Sequence, residues 1–372
     1  MDLRPSRAQA VRFSQAQEEW ARRTGRVGDV LARGTCSVMA VAAALALVVV
    51  TLSHGLVSGV YFAVMVVCTV TTTVGMVAPL VSERPAVVPL GLVASVFWVA
   101  ATAVVSVAFV INSALMRLWV YFDPRCSALY PYDLLSDDVG RAWWCTAVAS
   151  LEWVLTPGLV EEGAKALVLL HLHTTVTGAA RSRWAGRLRK KLWSGLVTPV
   201  ADNPWAFTVC GVAIGGGFAT AENVWFVFLK DPDATVNAVK HGDLGLAMSR
   251  LLPLHQLLTG YISAKVAFRL FGPAQARQPE EPLSRVFLRA VVVHGCFDAA
   301  VYLASFCEEW DEEHGAPEGY VPRTRILQLL MVVKMAVVAA AVVLFHSAWS
   351  DLDDLVPADD LPVQQLPNAI HD

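Results

Sequence analysis

Carboxylates and imidazoles gather in four short stretches of this sequence, each set in apolar surroundings. The first reads Pro157-Gly158-Leu159-Val160-Glu161-Glu162-Gly163-Ala164-Lys165. Glu161 and Lys165 stand four apart and share a helix face, so Lys165 is expected to neutralise Glu161. Glu162, rotated by about 100°, is then left to act as a base or a ligand and is the preferred water-activating base of the pair. A buried ion pair that merely fixed helix register would need one acid for one lysine, and here there are two. The second stretch runs from Gly211 to Asn223 and ends in Glu222-Asn223, after small residues at 211, 215 and 219. That four-residue repeat lets a neighbouring helix approach closely, which would bring Glu222 up to a partner. The third holds His255 and Gln256 after Pro253; taken alone, such a histidine is better explained by packing than by catalysis. The fourth is His294-Gly295-Cys296-Phe297-Asp298. There the carboxylate can accept a ring N–H and fix the tautomer for catalysis or metal binding.

The elements that must carry these groups follow from composition. Hydrophobic residues make up 55% of the 372 and charged residues only 16%, with a mean hydropathy of +0.51, whereas about a quarter of a soluble protein is charged. Apolar runs of the roughly 20 residues that cross a bilayer recur near 35–53, 58–81, 87–112, 144–171, 205–229, 244–271, 284–306 and 326–346. The fold predicted is therefore all-α, a polytopic transmembrane helix bundle of about eight spans in the cell membrane, with lipid as its surroundings. Lys and Arg are richer in the segments that an inside N-terminus makes cytoplasmic, so both termini are expected inside. The first run follows more than thirty residues that include charged ones, and reads as a signal anchor rather than a cleaved peptide.

Domain boundaries are expected at 1–34 for a cytoplasmic arm, in which 8–33 forms either a basic surface helix or a solvated segment. The helix bundle covers 35–346, with the chemistry-bearing core at about 144–306, and 347–372 is an acidic tail containing prolines. Residues 113–142 are expected as an interfacial loop rich in aromatics. The seven cysteines show no paired ligand spacing, and a net charge of −3 gives nucleic acid no footing as a partner. An ionisable side chain at mid-bilayer costs roughly 2.5–3.5 kcal/mol on insertion scales and usually faces the bundle interior. All four stretches fall within expected spans, so their ionisable residues are the informative ones.

In order along the chain, Glu161-Glu162-x-x-Lys165, Phe218-x-x-x-Glu222-Asn223, His255 and His294-x-x-x-Asp298 resemble the PrsW family of intramembrane proteases, which is related to the CaaX-processing and bacteriocin-processing membrane proteases. The resemblance implies hydrolysis of peptide bonds within the membrane, in a membrane-anchored, single-span substrate such as an anti-sigma factor. It implies catalytic roles for Glu161, Glu162, Lys165, Glu222, His255, His294 and Asp298. Amide hydrolysis needs an activated water and a stabilised oxyanion, which a glutamate and one or two histidines can supply; equally, Glu222, His255 and His294 could hold zinc. The residues leave the two mechanisms open.

Two other functions fit parts of the pattern. Buried Glu, His and Asp also build the proton relays of secondary transporters, but such folds commonly show two related halves, and within the expected spans there is no second Glu-Glu pair and no internal repeat. A non-catalytic membrane scaffold would be expected if the histidines were degenerate, and they are present.

Overall fold

Helix is the only regular structure among the described residues of this computed structural model, which are 56–83, 90–122, 139–177, 204–225, 252–271, 281–314 and 323–353. The N-terminal arm, the expected span at 35–53, and the tail beyond 353 lie outside them. We number the helices α1 (Leu56–Glu83), α2 (Leu90–Val99), α3 (Val105–Phe122), α4 (Val139–Thr177), α5 (Pro204–Trp225), α6 (Leu254–Phe271), α7 (Leu283–His314) and α8 (Arg323–Asp353). A π-helical turn, Ala100–Val104, joins α2 to α3. Among the described residues, four stretches are long and apolar enough to cross a membrane, namely Leu92–Leu115, Pro204–Val224, Leu283–Leu303 and Gln328–Leu352.

Burial separates the centre from the rim. Within the apolar window of α5, 94% of residues are buried, against 17% for α8. A helix apolar all round belongs in the middle of a bundle, and α5 packs against α1, α2, the π turn and above all α6. Its small residues make this possible. A Cβ added to Gly211 would run into Ser263 and the Thr259 carbonyl, and one added to Gly215 into the backbone of His255 and Gln256. The close approach expected from the small-residue repeat is thus made with α6, the helix that carries His255.

The second tight crossing joins α4 to α7. Gly158 lies against the Val291 carbonyl and Gly295 against the Val154 carbonyl, so a methyl group on either would force the helices apart. Pro157, which lacks an N–H to continue the ladder, lies within this crossing, between Val154 and Gly158 of α4. These two contacts hold Glu161 and Glu162 opposite His294.

Two sequence expectations are corrected. The loop expected over 113–142 is helical at both ends, through Phe122 and again from Val139, because the apolar pattern of α3 continues past Asn112. The first residues of the tail expected from 347 are helical, since α8 continues to Asp353. Ala348 and Leu352 are fully buried there, Trp349 packs 4.8 Å from the Trp205 ring, and Asp351 pairs with Lys265 at 2.5 Å.

Candidate active site

Lys165 is the organising cation. Its side chain is completely buried, and Nζ lies 2.7 Å from Glu162 Oε1 and 2.8 Å from His255 Nδ1, with the Phe218 ring 4.2 Å beneath it. The expected pairing of Lys165 with Glu161 is therefore wrong: the lysine takes the acid three residues back, not four. Both spacings place side chains on one face. The choice falls to Glu162 because His255, on another helix, draws the ammonium to its side.

Glu162 also fixes the second imidazole, with Oε1 3.0 Å from His294 Nδ1. A carboxylate on Nδ1 sets the tautomer and turns Nε2 outward. Nε2 then faces two more carboxylates, Glu161 Oε2 at 3.5 Å and Asp298 Oδ2 at 3.3 Å. Asp298 does meet His294, as the spacing suggested, but on the nitrogen that Glu161 also faces.

His255 is held from both sides. An ammonium only donates, so Nδ1 accepts from Lys165 and the ring hydrogen sits on Nε2, which donates to Glu222 Oε2 at 2.7 Å. The two imidazoles stand edge to face with centroids 4.7 Å apart. Access is from the Glu222 and Asp298 side: the side chains of His255, Glu222 and Asp298 retain 11%, 14% and 16% of their exposure, whereas Lys165 and Glu162 retain none.

All seven residues singled out in the sequence thus meet in one cluster. Asn223 turns away from it and donates to Thr69 Oγ1 on α1 at 3.1 Å. Gln256 donates to Thr73 Oγ1 at 3.2 Å. Asn112 of α3 is the residue that the sequence motifs do not contain: its Nδ2 donates to Glu161 Oε1 at 3.4 Å. The available signal was a polar side chain at the end of an apolar span.

A family model described as PrsW family intramembrane metalloprotease matches residues 88–338, more than half of the chain. The chain belongs to the PrsW family of intramembrane metalloproteases. It is accordingly a membrane peptidase, and the cluster lies wholly within the matched segment; α1 lies before it. No match was found among curated proteins or among solved structures.

A metalloprotease needs a place for a cation, and the PrsW cluster suits one. Glu161, His255 and His294 each bring one ligand atom to within 4.8 Å of the others, and two imidazoles with a carboxylate are a hydrolytic zinc donor set. Four carboxylates meet around Lys165 and the two imidazoles, Glu162 on Lys165 and His294, Glu222 on His255, and Glu161 and Asp298 on His294. Glu161 Oε2 is buried without a hydrogen bond. Glu161 takes the place in this group that the sequence assigned to Glu222, which instead accepts from His255 Nε2 at the accessible side of the cluster. Ligation through His255 Nε2 would displace the hydrogen now given to Glu222.

Proposed function

We propose that this PrsW-family protein cleaves a peptide bond within the membrane-embedded part of a single-span substrate, such as an anti-sigma factor. It would cross the cell membrane eight times with both termini cytoplasmic, as the distribution of Lys and Arg suggests. The observation that carries the catalytic reading is the meeting of Glu161, His255 and His294 in one buried cluster, with ligand atoms within 4.8 Å.

Under this reading those three residues hold a divalent cation, zinc by the chemistry of the donors. Zinc bound there would polarise the scissile carbonyl as a Lewis acid. The protein's own groups divide the remaining work. Glu222, partly exposed and 2.7 Å from His255 Nε2, takes a proton from the attacking water and returns it to the leaving nitrogen. Glu162 holds His294 through Nδ1, Lys165 holds His255 and Glu162 together, and Asp298 steadies the accessible side of His294. Burial of the Glu162 and Lys165 side chains keeps water from that wall of the site.

The test is cleavage by purified protein reconstituted in liposomes, using a panel of single-span membrane proteins with and without a metal chelator. Glu161→Ala, Glu222→Ala and His294→Ala should each lower turnover at least ~100-fold, and the chelator should abolish it reversibly. Full activity in all three variants would refute the site assignment.

A further inference from the structure

A row of residues on the α2–α3 segment points to a positioning role that the family motifs do not contain. Leu92, Val96, Ala100, Val104 and Ala108 are all buried, between 0% and 6% exposed, and they recur every four positions. In a regular α-helix each such step overshoots a turn by about 40°, so the row would wind away from its neighbours. The wider π turn at Ala100–Val104 takes back part of that drift, and such turns often mark functional positions. Continuing the row by four more residues gives Asn112. Its Nδ2 donates to Glu161 Oε1 at 3.4 Å, while its Oδ1 is buried with no hydrogen bond.

We infer that Asn112 is a positioning residue for Glu161: by holding Oε1, it presents Oε2 to the space before His294. The inference rests on the reading that Glu161 is a cation ligand. The amide has two polar ends, and the end turned to the carboxylate is the donor, although this leaves the buried Oδ1 without a partner. A buried acceptor with no hydrogen bond is destabilising, so packing alone would favour an apolar residue of the same size, such as leucine. Groups that orient a ligand in this way typically change metal affinity by about 10- to 100-fold when removed.

The experiment is zinc affinity of the purified full-length protein in detergent, measured by competition with a chromophoric chelator, together with the visible spectrum of the cobalt-loaded protein. Asn112→Leu fills the same space without a donor, and Asn112→Ala cannot overpack. Both should bind zinc at least ~10-fold more weakly than wild type and shift the cobalt bands. Asn112→Gln, which retains an amide donor, should recover affinity relative to Asn112→Leu. Wild-type affinity and wild-type cobalt bands in both the Leu and Ala variants would overturn the inference. A wild-type protein with no affinity for zinc would instead overturn the cation reading on which it rests.

Discussion

Glu162 and Lys165 lie at the closed end of the site, both side chains fully buried and 2.7 Å apart. Removing one partner of such a pair leaves a buried charge, which typically destabilises by about 3–5 kcal/mol. Glu162→Gln is therefore expected to lower the melting temperature in detergent, and also to lower activity by about 10- to 100-fold through the loosened His294. Glu222→Gln, at the accessible side, should abolish turnover while leaving the melting temperature near that of wild type; measuring both quantities for both variants separates the two roles. Loading a cation on His255 Nε2 displaces a hydrogen, so zinc affinity should rise from pH 6 to pH 8 in the competition assay, as is general for histidine ligands. At this scale the sequence was legible in its types but not in its partners. Seven residues could be named because ionisable groups are expensive in apolar helices. Which acid Lys165 would take could not, since steps of three and four are equally good on an isolated helix and the decision belongs to His255, 90 residues further on. Asn112 carries no charge and stood out less, though it lies at the end of the third apolar run.

Two helix crossings set the geometry. Where α5 meets α6, Gly211 and Gly215 have no room for a side chain, and this contact brings Glu222 onto His255. Where α4 meets α7, Gly158 and Gly295 do the same for Glu161, Glu162 and His294. Gly215→Val and Gly295→Val should each overpack a crossing, lowering stability by roughly 1–3 kcal/mol, with loss of activity larger than stability alone explains; thermal unfolding and turnover measured together would check this. The repeat of small residues at 211, 215 and 219 made the first crossing readable in the sequence. The second was not readable, because Gly158 and Gly295 are single glycines whose partners are backbone carbonyls on a distant helix. The contribution of α1 was equally hidden. Thr69 and Thr73 look like ordinary residues of an apolar helix, yet they hold Asn223 and Gln256, the neighbours of Glu222 and His255. Hydrogen bonds between membrane helices average about 0.6 kcal/mol, so Thr73→Val is expected to shift stability only slightly.

At the scale of the whole bundle, the apolar window of α5 is almost wholly buried among the described residues while that of α8 is mostly exposed. Composition made the all-helical class and the membrane setting legible, because so apolar a chain cannot hide its surface in one soluble core. It did not make legible how far α8 runs, since its last turn is held by Trp205 and Lys265 from other helices. The central claim is that Glu161, His255 and His294 together hold a catalytic cation. Its most direct test is the zinc content, by mass spectrometry, of a proteolytically active wild-type preparation alongside the Glu161→Gln/His255→Ala/His294→Ala variant. The account predicts about one equivalent per chain in the wild type, from the three-ligand donor set, and close to none in the variant. Full activity in a metal-free wild type, or retention of that equivalent by the variant, would contradict it.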